Sequence, residues 1–159
     1  MTLTMSDLIK SPLLEIVTLG DKISLRSCVC MSAITRNRCI DSSKPTSASV
    51  KHYADRVRDG TGLIVSEGVC VYLHGLHWPH IPVMYNTKHA EAWKRVTDAV
   101  HGEGGTMFMQ VWHAGRAQNK KMPMLRNNRY PVLAPSDIPA EGGKYRELEG
   151  QPVSNAQDK

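Results

Sequence analysis

Two amphipathic helical stretches separate three short apolar runs, and this alternation constrains the fold more than any other property of the chain. Between Thr46 and Arg58 the residues Val50, Tyr53, Ala54 and Val57 fall at i, i+3, i+4 and i+7, with Pro45 and Thr46 at the entry and Gly60 after the exit. A second helix is predicted from Asn86 or Thr87, either of which can cap it, to about Glu103. Its residues Ala92, Trp93, Val96, Ala99 and Val100 keep the same period, and Gly104-Gly105 supplies the stop. The runs Val29 to Ile34, Gly62 to Ser66 and Thr106 to Val111 read as buried strands. Strand and helix in strict alternation imply parallel strands joined by right-handed crossovers. Upstream, Leu13 to Leu19 and Lys22 to Leu25 flank the turn dipeptide Gly20-Asp21 and read as a hairpin.

Each buried run closes on polar or small residues. Met31-Ser32-Ala33-Ile34-Thr35-Arg36 ends the first, Ser66-Glu67-Gly68 the second, and Gln110-Val111-Trp112-His113-Ala114-Gly115-Arg116 the third. In parallel α/β folds the carboxyl ends of the strands are where sites are built. Taken singly, a strand-end Thr is ordinarily a turn residue, a lone Gly a bend and a lone Gln a solvated side chain. Their joint appearance at three strand ends on one face points instead to a site.

The order and wording of these segments resemble the amino-terminal third of the old yellow enzyme family, flavin-dependent ene-reductases on a (β/α)8 barrel. Ser32-Ala33-Ile34-Thr35-Arg36, Trp93 to His101, Gln110 to Arg116, Trp78-Pro79-His80-Ile81-Pro82, Ala134-Pro135-Ser136 and Gly143-Lys144-Tyr145-Arg146 all match in sequence order. The family's first segment usually reads Ala-Pro-Leu-Thr-Arg, of which Ser32-Ala33-Ile34-Thr35-Arg36 keeps the Thr and Arg and replaces the Pro, and Leu25-Arg26-Ser27-Cys28 lacks the Asn and Arg usual before the first strand. A Gly usual after the loop proline is replaced by Val83.

A complete barrel of this kind needs about 250 residues, and the chain has 159. The expected fold class is therefore α/β, an incomplete TIM barrel of about three strands and two helices, with an amino-terminal hairpin and an irregular tail. One domain is expected over residues 1–159, with a flexible start (1–12), a barrel portion (13–116) and an irregular extension (117–159), because periodicity is lost from Ala117 onward. The resemblance implies FMN as cofactor, NAD(P)H as reductant and a small enone-type substrate. It implies backbone contacts from Ala33 and Ile34, a flavin-carbonyl donor in Thr35, and close backbone approach at Gly68. Gln110 would supply an amide that both donates and accepts at the pyrimidine edge, while Trp78 and Trp112 would line the substrate mouth. The family's His/Asn pair, its tyrosine proton donor and its phosphate loops have no counterpart in the sequence, so no catalytic residue is assigned. Two functional expectations stand side by side: FMN-dependent ene-reductase chemistry by resemblance, and a catalytically inactive fragment or interaction subunit. An open third of a barrel leaves strand edges unpaired, which favours self-association.

Composition is that of a globular protein, 41% apolar and 22% charged, with no stretch of the ~18 apolar residues that a membrane span needs. The net charge of +5 is spread along the chain without the spacing of a nucleic-acid motif, and reads as a solvated surface. Four cysteines make no disulfide framework, so a reduced, cytoplasmic protein is expected. Cys28 and Cys30 lie on one side of their strand, where core packing is the favoured reading. His74, His77 and His80, with Cys70 upstream, offer zinc-ligand chemistry, but Gly75, Pro79 and Pro82 break the helix that their spacing would require, and no metal site is assigned.

Overall fold

The computed structural model describes residues 11–40, 42–119, 121–138 and 140. Residues 1–10 of the expected flexible start and 141–159 of the expected extension, including Gly143 to Arg146, lie outside them. Strands β1 (Val17–Leu19) and β2 (Ile23–Leu25) pair antiparallel around Gly20-Asp21, with Val17 opposite Leu25. Both turn residues take positive φ, +57° and +58°, the geometry that lets a two-stranded hairpin follow the right-handed twist of its strands. A second sheet is parallel, in the order β3 (Cys30–Met31), β4 (Leu63–Cys70), β5 (Thr106–Trp112). Helices α1 (Ser47–Arg58) and α2 (Thr87–Gly102) form the two crossovers.

Local chemistry sets the helix ends. At α1 the N-cap backbone N–H of Thr46 donates to the Ser49 hydroxyl (3.2 Å), and at α2 the Asn86 side chain accepts from the His89 N–H (3.1 Å). The Arg26 guanidinium, just after β2, donates to the carbonyls of Val57 (3.1 Å) and Glu103 (2.8 Å). One cation thereby satisfies the carboxyl-terminal ends of both helices, where the dipole is negative. Between helices and sheet lies a core of Tyr53, Val57, Ile64, Val69, Trp93, Val96 and Val100, with Met31, Met107 and Met109 packed against it.

The strand β4 carries an extra residue. Val65 lies opposite Phe108 and Gly68 opposite Gln110, so three steps on one strand match two on the other. Side chains alternate strictly along a regular strand, and Ile64 and Val69, five apart, would face opposite ways. The bulge reverses the parity and brings both into the same core.

Several sequence expectations are corrected. The first barrel strand is only Cys30–Met31, not Val29 to Ile34, and Ile34 is 54% exposed, because the backbone beyond Met31 bonds to a side chain of β4 instead of continuing the ladder. The second strand runs to Cys70, which places Gly68 inside it rather than past its end. The third is not buried: Phe108 and Val111 are 40% and 66% exposed, since among the described residues nothing pairs with its outer edge or covers its faces fully. Cys28 and Cys30 are exposed rather than packed. With Met31 turned to the helices, alternation sends Cys30 to the uncovered face. The stretch Asn119 to Arg129, expected to be irregular, contains a short helix α3 (Pro123–Asn128), entered through a helix-compatible proline and anchored by buried Met122 and Leu125.

Candidate functional site

Beyond β4 the chain folds back over the sheet. A 3-10 turn at Leu73–Gly75 is followed by a return in which the Cys70 N–H donates to the Pro82 carbonyl (2.9 Å) and the Met84 N–H to the Cys70 carbonyl (2.8 Å). Val83 thus pairs in parallel with Cys70. A second apolar cluster, Cys70, Leu76, Ile81 and Val83, holds the loop down, with Trp78 and Trp112 packed on it.

Under this loop is a cavity of about 140 Å³ lined by Ala33, Thr35, Gly68, His77, Trp78, Ile81, Gln110 and Trp112. Six of the seven residues singled out in the sequence meet here. Ile34 does not line the cavity. Thr35 arrives from the coil after β3, Gly68 from the bulge of β4, and Gln110 and Trp112 from the same face of β5. A Cβ on Gly68 would lie 3.4 Å from Trp112 Cγ and 3.5 Å from Gln110 Oε1, so the absent side chain opens the cavity floor. Thr35 and Gln110 make no side-chain hydrogen bond among the described residues, leaving a hydroxyl and a carboxamide available to a ligand.

Sequence reasoning missed His77 and Ile81. The His77 ring is buried between Trp78 and Trp112, with ring centroids 4.0 and 4.1 Å away. The three histidines of the metal reading diverge. His77 stacks in the cavity wall, His80 is exposed, and His74 Nδ1 lies 2.9 Å from His113 Nε2. The Gly115 N–H donates to His113 Nδ1 (2.9 Å), so that nitrogen accepts and His113 Nε2–H is the donor to His74. Burial, and then repulsion from His113 when that ring is protonated, holds the His74 pKa below the usual imidazole value. Buried Gln118 donates to the carbonyls of His74 and Leu76, tying the segment after β5 to the loop.

Two buried polar residues lie behind the cavity. Ser66 Oγ accepts the Gln110 N–H (3.0 Å), and Glu67 Oε2 accepts the Arg36 N–H (2.9 Å). Burial raises the Glu67 pKa, against the opposing pull of the Arg36 and Asn37 backbone N–H groups and the Arg36 charge. The signal that could have revealed both is a polar pair inside an otherwise apolar run.

The family model of the NADH:flavin oxidoreductase / NADH oxidase family matches residues 12–158. The chain belongs to this family. A curated relative, 12-oxophytodienoate reductase 7 of Oryza sativa subsp. japonica, is 44% identical over 92 residues, 58% of this chain and 23% of that protein. A probable flavin mononucleotide-dependent alkene reductase of Leishmania infantum is 35% identical over 114 residues, 72% of this chain and 30% of that protein. Among solved structures, the old yellow enzyme homologue from Zymomonas mobilis superposes with a TM-score of 0.73 at 27% identity, covering 92% of this chain and 39% of its own. The chain therefore spans less than a third of the length of either curated relative, and its fold is part of the family's TIM barrel. Family members use FMN and NAD(P)H.

Proposed function

We propose that the cavity under the β4 loop is the ring-facing part of an FMN site, and that the chain supplies this part of an ene-reductase-type oxidoreductase acting on small activated alkenes. The observation that carries the reading is the convergence of Ala33, Thr35, Gly68, Trp78, Gln110 and Trp112 on one cavity from the coil after β3, the bulge of β4, the loop that follows β4, and β5. When bound, FMN supplies the hydride chemistry. The residues of this chain bind and orient. Thr35 offers a hydroxyl donor, and Gln110 offers one donor and one acceptor group on a single planar amide, the pattern that an alternating pyrimidine edge requires. Gly68 lets a flat ring approach the backbone. The Trp78, His77 and Trp112 stack forms an apolar wall that keeps water from the mouth.

Among the described residues the lining contains no Lys, Arg or Tyr. A phosphate cradle and a phenolic proton donor are therefore not contributed by this cavity, and ring recognition should dominate any affinity the chain has. Exposure of Phe108, Val111 and Ile34 favours a second reading, an association unit whose open sheet is covered by another chain. No helix among the described residues is long and apolar enough to cross a membrane. Four free thiols support a reducing, cytoplasmic setting.

Fluorescence titration of riboflavin and FMN into the wild-type chain and Gln110→Ala tests the reading. Riboflavin should bind about as well as FMN. Gln110→Ala should weaken both by about ten-fold, the lower end of the ~1–3 kcal/mol lost when polar partners are left unpaired. Equal affinities for the two proteins, or a strong preference for FMN, would refute the site.

A further inference from the structure

We infer that Ser66 and Glu67 are positioning residues for the cavity: the β4 bulge turns their side chains sideways, and each fixes the backbone that carries one of the two hydrogen-bonding side chains, Gln110 for Ser66 and Thr35 for Glu67. The inference rests on the reading of the cavity as a ring site and adds to it the source of its geometry.

The extra residue of the bulge takes Ser66 and Glu67 out of the ladder with β5, where the register passes from Val65 to Gly68. A bulge ordinarily leaves backbone groups unpaired, and here side chains satisfy them. The Gln110 N–H, opposite the bulge, donates to Ser66 Oγ (3.0 Å), whose own proton goes to the Glu67 carbonyl (2.8 Å). The Glu67 N–H donates to the Tyr53 hydroxyl of α1 (3.0 Å). On the other flank, the Glu67 carboxylate accepts the N–H of Arg36 at 2.9 Å. Arg36 is the residue immediately after Thr35. One dipeptide therefore holds both neighbouring segments.

The cost of burial makes a merely incidental role for Glu67 a poor account. Only 2% of the residue is exposed, and a buried carboxylate is unfavourable unless its oxygens are fully used. Glu67 forms no ion pair among the described residues, although Arg36 and Arg38 line a small cavity beside it together with Ser49, His52 and Tyr53. Glu67 Oε2 instead accepts from the backbone N–H of Arg36, a charge-assisted bond to the chain just after Thr35. The segment it orders has no ladder of its own, since β3 ends at Met31. The bond from Arg36 to Glu67 ties this segment, and with it Thr35, to β4.

Hydrogen–deuterium exchange on the full chain, read by mass spectrometry over peptides spanning 33–37 and 108–112, separates this role from general destabilisation. Glu67→Gln keeps the shape but removes the charge from the acceptor, and should speed exchange at Arg36 by about ten-fold while leaving Gln110 unchanged. Ser66→Ala should do the converse. Both peptides loosening together in either variant, or neither loosening in its own, would overturn the inference. Should Glu67→Gln not fold, Glu67→Asp decides the same half, because the charge is kept but withdrawn by one methylene; unchanged exchange at Arg36 would refute it. In riboflavin titrations Glu67→Gln should weaken binding several-fold in the wild-type background and have no further effect in a Thr35→Ala background, the non-additivity expected of residues acting through one another. Additive losses would overturn the inference. If the wild-type chain binds no riboflavin, the ring-site reading fails, while the exchange pattern still decides whether Ser66 and Glu67 position these segments.

Discussion

Gly68→Ala should move stability and ring affinity in opposite directions. The added methyl would meet Trp112 Cγ at 3.4 Å and Gln110 Oε1 at 3.5 Å, at or just inside ordinary van der Waals contact, and Gly68 is not among the glycines with positive φ. Where the native backbone suits alanine, the substitution stabilises a fold by about 0.4–1 kcal/mol by restricting the unfolded chain. For a chain of this size that is a rise of roughly 1–4 °C in Tm. The same methyl stands on the cavity floor. It lifts a planar ring from the backbone by about a bond length, ~1.5 Å, which takes a 2.9 Å hydrogen bond far outside its useful range. Losing one or two such bonds, each worth about 0.5–1.5 kcal/mol net, weakens riboflavin binding by about ten-fold. Differential scanning fluorimetry and flavin fluorescence titration on the same preparation read both quantities. Unchanged affinity would show that the ring does not lie over Gly68, and a Tm several degrees lower would show that the floor is already packed.

Gly62→Ala should be severe, because its Cβ would lie 2.2 Å from the Ser27 carbonyl oxygen and 2.9 Å from the Ser27 nitrogen, and backbone must move; a loss of about 1–3 kcal/mol or more is expected in thermal melts, whereas Gly102→Ala, with nothing within 4 Å, should be neutral or slightly stabilising. Lowering the pH from 7 to 5 should lower Tm. Burial and the charges of Arg36, Arg56 and Arg38 depress the His52 pKa from 6.5 to about 4, so His52 contributes stability above pH 6.5 that is lost as pH falls toward 4. Glu67 has the opposite sign, its raised pKa contributing stability below the usual carboxylate range that is lost as pH rises through the raised value. His52→Gln should therefore flatten the profile and Glu67→Gln steepen it, and parallel profiles would refute the assignment. On gel filtration the chain should elute larger than its 17.7 kDa, and a monodisperse monomer peak would show that the open sheet needs no cover.

The helices and the order of the strands were legible because each obeys one period over many residues. Val50, Tyr53, Ala54 and Val57 can face a common core only in a helix, and the cap at Asn86 lies where the sequence places it. The cavity lining was legible for a related reason: residues toward the carboxyl ends of strands in parallel α/β units share one face. What escaped was non-periodic. The bulge in β4 hides in a sequence because a one-residue insertion looks like the end of an apolar run, so Gly62 to Ser66 reads as the whole strand and Glu67-Gly68 as lying past its end. The shortness of β3 was equally hidden, since Val29 to Ile34 is apolar enough for a full strand and only the competing acceptor at Glu67 ends the ladder. Burial of β5 and of Cys30 was over-read because apolar character indicates what a residue would favour, and not whether a neighbour exists to cover it.

The parity reversal in β4 also bears on how this part of the barrel tolerates insertions and deletions. A strand in plain alternation absorbs a lost residue at its ends by shifting its loops. Here one can also be lost in the middle: removing a residue between Val65 and Gly68 would erase the bulge and leave a plain strand in which Ile64 and Val69, then four apart, still share the core face and Gly68 still lies opposite Gln110. The bulge is thus the point at which β4 can shorten without turning either apolar cluster over. What such a loss would remove is a side chain, Ser66 or Glu67, that bonds a neighbouring segment.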